Sequence, residues 1–264
     1  MRDSLKQHIA ELKETTAAKE RIESELNIAH DIQMSMLPIN FPNLSRFEVN
    51  AILKPAKEVG GDLYDFFFLN DDTFCFTIGD VSGKGVPAAL FMALTKTLIK
   101  SSSHLNISPE DIIKKVNKEL VFQNSKMLFV TLFFAIIDLK TGKVQFVNAG
   151  HNPPVIKSKN CQYLDIKPNI PLGIDDSFSF EGDEFNLSPG EEILLYTDGV
   201  TEAQNENQEL YSEEKLLIEC SQCCHDDASS ILNDIFDSVV RFTNTAPQFD
   251  DITLLALKYK GNVN

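Results

Sequence analysis

Thr73-Phe74-Cys75-Phe76-Thr77-Ile78-Gly79-Asp80-Val81 reads as a strand of apolar and β-branched residues that ends on a carboxylate. It runs into Ser82-Gly83-Lys84-Gly85, a glycine-marked turn, after which Leu90, Ala93, Leu94 and Leu98 recur at helical spacing. The same texture extends both ways from this point. Residues 47–53 and 62–69 predict two strands before it, with Asn70-Asp71-Asp72 as a turn. Beyond it, Ser108-Pro109-Glu110-Asp111 carries a helix cap and a proline for the first turn. Residues 128–138 and 143–148 make a hairpin around Lys140-Thr141-Gly142. Further strands are expected at 154–157, 178–186, 192–197 and 251–259, and helices at 212–224 and 227–243. Hairpin-linked strands with helices inserted in pairs predict an α+β domain with antiparallel sheets, not a doubly wound parallel one.

Residues 2 to about 36 hold no glycine or proline and are rich in Glu, Lys, Ala and Leu, so they read as one long helix that Pro38 and Pro42 stop. A heptad register puts Leu5, Leu12, Lys19, Leu26 and Gln33 at one seam position. His8, Thr15, Ile22, Ala29 and Met36 fall at the other. The seam is poor at first and improves from Ile22 onward. So thin a stripe cannot sustain an isolated helix. Either it pairs with a second copy as a coiled coil, or its C-terminal half packs on the domain that follows. Lys19 and Gln33 are the seam's weak points.

The chain of 264 residues carries 24 Lys plus Arg against 39 Asp plus Glu, a formal net charge of −15. Such a surface repels nucleic acid and anionic membrane. No apolar run reaches the roughly 18 residues of a membrane span, and the polar N-terminus offers no secretion signal. Five cysteines, an odd number in a long chain, point to a reducing compartment. Cys220-Ser221-Gln222-Cys223-Cys224 lacks a second Cys/His pair at a zinc-binding distance and reads as a helix end. These features point to a soluble, cytoplasmic protein.

Four aspartates share a local setting, each where a strand meets a turn: Asp62 after Val59-Gly60-Gly61, Asp80, Asp198 before Gly199, and Asp250 before Asp251-Ile252-Thr253. A single Asp-Gly is usually just a turn. Four acids on strand ends, brought together, could not all stay ionised without a cation. An all-oxygen site of this kind suits Mg²⁺ or Mn²⁺.

The stretches 58–65 (Glu-Val-Gly-Gly-Asp-Leu-Tyr-Asp), 79–89 (Gly-Asp-Val-Ser-Gly-Lys-Gly-Val-Pro-Ala-Ala), 148–154 (Asn-Ala-Gly-His-Asn-Pro-Pro), 196–203 (Tyr-Thr-Asp-Gly-Val-Thr-Glu-Ala) and 250–253 (Asp-Asp-Ile-Thr) resemble the metal-dependent Ser/Thr protein phosphatases (PPM, type 2C-like). The likeness is to their bacterial SpoIIE/RsbU-type branch. Even Ala29-His30-Asp31-Ile32-Gln33-Met34-Ser35-Met36-Leu37-Pro38 is similar to the linker that enters such domains, and the resemblance covers residues 25–258 in motif order. It implies a four-layer αββα sandwich preceded by the long N-terminal helix, with a helical linker at 1–38 and the phosphatase domain at 39–264.

It also implies two Mn²⁺ or Mg²⁺ ions per active site, with water activated between them attacking phosphorus in line. By this resemblance Asp80 corresponds to the carboxylate bridging both ions and the Val81 carbonyl to the backbone ligand beside it. Asp198 and Asp250 correspond to ligands of the first ion, and Asp62 to the acid that holds metal-bound water. Lys57 stands where relatives often carry a phosphate-contacting Arg; Lys supplies the charge without the bidentate fork. The implied substrate is a phosphorylated STAS-type anti-anti-sigma protein in a partner-switching pathway. Implied partners are a second copy through the N-terminal helix and an upstream sensory domain or activator.

The remaining residues are read more plainly. His151, in a Gly/Pro-bounded turn, is taken as a structural histidine rather than a general acid. Gly83-Lys84-Gly85 lacks P-loop spacing and is read as the turn that exposes the Val81 carbonyl. Asp65 and Asp251 are expected to be solvated or to cap turns. Ser82 has no paired histidine in local sequence, which argues against a serine nucleophile. The rival readings are a catalytically silent scaffold of the same fold, disfavoured because Asp80, Asp198 and Asp250 are all present, and a two-metal phosphodiesterase, disfavoured by the acidic surface.

Overall fold

In the computed structural model of the protein, residues 2–105, 107–122, 124–223 and 227–261 are described. Helix α1 (Arg2–Met36) precedes strands β1 (Phe47–Lys54), β2 (Leu63–Asn70) and β3 (Thr73–Val81). Helices α2 (Val86–Ser103) and α3 (Pro109–Phe122) follow, then β4 (Val130–Asp138), β5 (Lys143–Ala149), β6 (Val155–Lys157), β7 (Cys161–Tyr163), β8 (Asp183–Asn186) and β9 (Glu192–Tyr196). The short α4 (Asp198–Thr201), α5 (Ser212–Gln222), α6 (Ala228–Thr243) and β10 (Ile252–Tyr259) complete the chain.

The strands form two antiparallel five-stranded sheets, ordered β1-β10-β9-β6-β7 and β2-β3-β4-β5-β8. Side chains alternate between the two faces of a strand, and each strand uses both. Phe74, Phe76 and Ile78 of β3 and Phe133, Ala135 and Ile137 of β4 meet Phe47, Val49, Leu255 and Leu257 between the sheets. From the other face, Cys75, Leu132 and Phe134 pack on Met92 and Ile99 of α2 and Ile112 and Val116 of α3. Leu194, Tyr196, Leu254 and Ala256 of the first sheet pack on Ile231, Ile235 and Val239 of α6. Three cores between four layers make the αββα sandwich. Each fully buried side chain of this size contributes roughly 1.5–3 kcal/mol of apolar transfer, so strand periodicity and not local propensity holds the layers.

Most predicted elements appear within a few residues of their expected bounds. The Ser108 cap is present, with the Asp111 N–H donating to Ser108 Oγ (3.2 Å). The expected strand at 178–186 is shorter, because only Asp183–Asn186 pair with β5. Phe178 and Phe180 instead turn an irregular segment into the core beneath α2 and α3. The helix expected at 212–224 ends at Gln222, and Cys224 lies outside the described residues. Strand β7 and helix α4 are additions. No helix among the described residues is long and apolar enough to cross a membrane.

Residues 6–25 of α1 are exposed, and partial burial begins at Leu26. Gln33 and Leu37 are buried. The C-terminal half of α1 therefore packs on the domain, as one of the two readings of its sequence expects.

Candidate active site

The β-ladder registers place the strand-end aspartates at one end of the sandwich. Leu63, immediately after Asp62, lies opposite Gly79, immediately before Asp80. In the other sheet Leu254 lies opposite Tyr196, so Asp198 and the Asp250–Asp251 pair leave β9 and β10 at the same end. The loops close on one another so tightly that side chains are excluded. A Cβ at Gly61 would stand 2.7 Å from the Val81 carbonyl oxygen and 3.4 Å from Asp80 Oδ1. One at Gly199 would stand 1.9 Å from the Asp251 carbonyl oxygen. Both distances forbid any residue but glycine.

Asp62 is buried, and its Oδ2 accepts from Thr197 Oγ1 (2.8 Å) and Thr253 Oγ1 (2.5 Å). Burial first, then the charges of Asp80 and Asp251, hold its carboxyl well above the usual range, against the pull of the two threonines. Asp80 is pushed up to about 7 by burial and then by Asp198 and Asp250, while a hydrogen bond from Asp62 works the other way. Asp198 is raised by burial, then by Glu202 and Asp250, with the Gly199 N–H and Lys84 opposing. Each acid thus senses its neighbours. Burial and like charge act together, and a cation is what would relieve both.

Of the two roles expected for Asp251, solvated or turn-capping, the structure excludes the first and extends the second to a distant loop. Asp251 is buried, its Oδ1 accepts from the Ala56 N–H (2.8 Å) and its Oδ2 from the Gly61 N–H (2.8 Å). It thereby braces the loop that delivers Asp62. Asp65 is likewise buried, paired with Lys96 of α2 at 2.5 Å. Both corrections have one physical cause: each carboxylate has a partner far away in sequence.

Three further side chains make contacts that were invisible in the motifs. The amide of buried Gln33 pairs with the Gly60 backbone, Nε2 donating to the Gly60 carbonyl (2.7 Å) and Oε1 accepting the Gly60 N–H (3.1 Å). His30 Nδ1 donates to the Glu58 carbonyl (2.6 Å). The seam's weak residue is thus a clamp on the Asp62 loop. Lys84, read from sequence only as part of a turn, donates from Nζ to Asp250 Oδ2 (2.8 Å) and to the Phe249 carbonyl (2.7 Å), with its ammonium 4.0 Å from the Phe249 ring centre. Its only signal was a lysine flanked directly by two turn glycines, Gly83 and Gly85.

Lys57 is exposed on the loop between β1 and Asp62, and among the described residues no ion pair or hydrogen bond ties it to the acids. His151 is buried, with Nδ1 2.9 Å from Thr131 Oγ1 and its N–H donating to Asn148 Oδ1 (2.7 Å). Burial pushes it down to about 4, only partly offset by the Tyr196 carbonyl. It is a neutral residue that holds its loop. Ser82 Oγ accepts from the Phe129 N–H (2.8 Å), a structural use.

The donor set, carboxylates plus the Val81 carbonyl, fits a hard divalent cation in chemistry. Among the described residues no three Asp, Glu, His or Cys side chains are already closed on one point. Lys84 holds Asp250, and the two threonines hold Asp62.

Residues 70–260 match the family described as "Stage II sporulation protein E (SpoIIE)". The chain is 30% identical over 245 residues to "Phosphoserine phosphatase RsbU" of Bacillus subtilis, covering 92% of this chain and 72% of that protein. It is 32% identical over 261 residues to "Protein IcfG" of Synechocystis sp., covering 88% of this chain but only 41% of that protein. The "SiaA-PP2C domain of Pseudomonas aeruginosa" superposes with a TM-score of 0.80 at 20% identity, over 92% of this chain and 99% of that one. That last likeness is one of fold.

Proposed function

Because the chain belongs to the SpoIIE family of PP2C-type serine phosphatases, we propose that it is a metal-dependent phosphoserine/phosphothreonine protein phosphatase whose centre is the acid cluster at the strand ends. The observation that carries this is the glycine-lined convergence of Asp62, Asp80, Asp198, Asp250 and Asp251, each of the first three raised by burial and then by its acidic neighbours. Asp80, the Val81 carbonyl, Asp198 and Asp250 would hold two Mn²⁺ or Mg²⁺ ions. When bound, such ions neutralise the acids, accept the phosphate and acidify water.

The chain's own residues do the positioning. Thr197 and Thr253 fix Oδ2 of Asp62, leaving its other oxygen to orient water and take up its proton. Asp251 and Gln33 hold the Gly60–Gly61 backbone, and with it the distance from Asp62 to Asp80. Lys57 is assigned to the substrate phosphate.

On this reading residues 1–38 are a helical linker and 39–264 the phosphatase domain. The substrate is a phosphorylated STAS-type anti-anti-sigma protein in a partner-switching pathway, in line with the name phosphoserine phosphatase that RsbU carries. Homodimerisation through α1 is supported by an apolar groove of about 190 Å³ between α1 and α2. Ile32, Met36, Val86 and Leu90 line it and are 44–68% exposed. A second copy bringing the same helix would bury them, and would carry any signal from an upstream sensory domain or activator toward the Asp62 loop. The deciding experiment is hydrolysis of an aryl phosphate, then of a phosphorylated STAS protein, with and without Mn²⁺. Turnover that requires Mn²⁺ is expected; none on either substrate would leave a silent scaffold.

A further inference from the structure

Two cysteines meet at the opposite end of the first sheet from the acids. Cys161 sits on the edge strand β7 and Cys220 in the last turn of α5, and their sulfurs are 3.0 Å apart. Cys161 lies opposite Lys157, and Lys157 opposite Glu192 at the start of β9, whereas Asp198 follows the far end of β9. Helix α5 runs along β7, since Tyr163 Oη also donates to the Glu213 carbonyl (2.7 Å). Cys161 is partly exposed and Cys220 fully buried.

We propose that Cys161 and Cys220 are a reactive dithiol that reduces a hydroperoxide and closes into a disulfide stapling α5 to the sheet edge. The two sulfurs differ in role. The hydrogen bond from Cys220, then Ser221 and the Lys157 ammonium, hold the Cys161 thiol down to about 6 against its burial. Cys220 is pushed far up by its neighbour and by burial, so it keeps the proton. Cys223 is pushed up to about 12 by burial and Asp234 and stays a thiol. A partly exposed thiol beside a lysine, with a buried thiol 3.0 Å behind it, is the arrangement of an attacking and a resolving cysteine.

In the first step the Cys161 thiolate attacks the peroxide. An S–O bond forms, the O–O bond breaks, and the alkoxide or hydroxide leaves and takes a proton from water. In the second, Cys220 attacks the sulfenic sulfur of Cys161. The S–S bond forms, the S–O bond breaks, and hydroxide leaves with the Cys220 proton as water. Two thiols and one hydroperoxide thus give one disulfide, one alcohol or water, and one further water. The sulfurs need to close by about 1 Å to reach bonding distance.

The test is a peptide map of the whole wild-type chain after brief exposure to a small excess of hydrogen peroxide and blocking of free thiols. A single cross-link joining Cys161 to Cys220, reversed by dithiothreitol, is expected. The unfolding temperature should rise by roughly 3 °C or more, because the bridge closes a long loop. In Cys220→Ser, Cys161 should be trapped by dimedone as a sulfenic acid. In Cys161→Ser, Cys220 should remain a thiol. A wild-type cross-link from Cys161 to Cys223 or Cys224 would overturn the assignment. So would sulfinic Cys161 beside an unreacted Cys220, or a peroxide reaction no faster than in the guanidinium-unfolded chain.

Discussion

Gln33 offers the sharpest way to ask whether α1 governs the acid cluster. Its amide makes two hydrogen bonds to Gly60, at 2.7 and 3.1 Å, in a place only 5% exposed. Gly60 lies two residues before Asp62, and the next N–H, of Gly61, is held by Asp251 (2.8 Å). In Gln33→Ala the Gly60 N–H and carbonyl lose their partners together. Each unsatisfied buried group costs about 1–3 kcal/mol, so the two leave the loop about 2–6 kcal/mol worse off, less where water enters. If even 2 kcal/mol of that is released by letting the loop shift, the geometry between Asp62 and Asp80 is no longer prepaid, and Mn²⁺ affinity should fall about 30-fold.

Gln33→Glu is the discriminating companion. It is isosteric and can still accept from the Gly60 N–H, but it sets a carboxylate oxygen against the Gly60 carbonyl and adds a negative charge near the acids. It should impair Mn²⁺ binding at pH 7.5 through the displaced loop, and its deficit relative to wild type at the same pH should narrow as the glutamate protonates. Ser35→Ala, whose hydroxyl only donates to the Ile32 carbonyl within α1, serves as the control. Isothermal titration with Mn²⁺ reads affinity directly, and differential scanning calorimetry reads stability separately. Mn²⁺ affinity within twofold of wild type in both Gln33 variants would refute the clamp, whatever happened to the unfolding temperature.

Asp80→Asn should lower Mn²⁺-dependent turnover by orders of magnitude and raise the metal-free unfolding temperature above pH 7, since a buried charge held up to about 7 is removed; near wild-type hydrolysis in excess Mn²⁺ would exclude a central role. Lys57→Ala should raise KM with little change in Mn²⁺ affinity, and Lys57→Arg should keep or improve kcat/KM; identical kinetics in all three proteins would make it ordinary surface. Leu26→Glu should break the better half of the α1 seam and shift the protein to monomer by light scattering; a wild type already monomeric at high micromolar concentration would remove the dimer. Glu192 is buried with its pKa pushed up to about 7, so the unfolded chain sheds its proton first and stability falls as pH rises from about 4.5 to 7, by about 3 kcal/mol. Glu192→Gln should therefore gain unfolding temperature over wild type at pH 7.5 and not at pH 4.5, and an equal gap at both would contradict this.

The layers of the fold were legible because they depend on local periodicity. The alternation Phe74, Phe76, Ile78 against Cys75 and Thr77 declares a strand buried on both faces, and glycine turns at 79–85 and 140–142 declare where it reverses. Strand β7 escaped because three residues, Cys161–Tyr163, are too few to show a period of two. The segment before β8 was overread for the opposite reason. Phe178 and Phe180 alternate like strand residues, yet they fill a gap beneath two helices with no partner strand to pair with.

At the acid cluster the division runs between what a motif contains and what it touches. Asp62, Asp80, Asp198 and Asp250 stand beside their own glycines, so turn chemistry and strand ends bring them into view one motif at a time. Thr197 and Thr253 sat inside those motifs without a role, because their hydroxyls meet Asp62 across 135 and 191 positions of sequence. Asp251, Gln33 and Lys84 reach the loops across gaps of 190, 27 and 166. A carboxylate next to a stronger candidate reads as solvent-facing, a glutamine on a seam reads as a flaw in a coiled coil, and a lysine between glycines reads as filler. Only the closed sandwich supplies the partner that changes each meaning. The groups that bear charge in this centre are thus declared by local sequence. The groups that set the distances between them, Gln33 of α1 among them, come from other elements, so a displacement of α1 would act on the acid cluster through Gln33 and the Gly60 backbone.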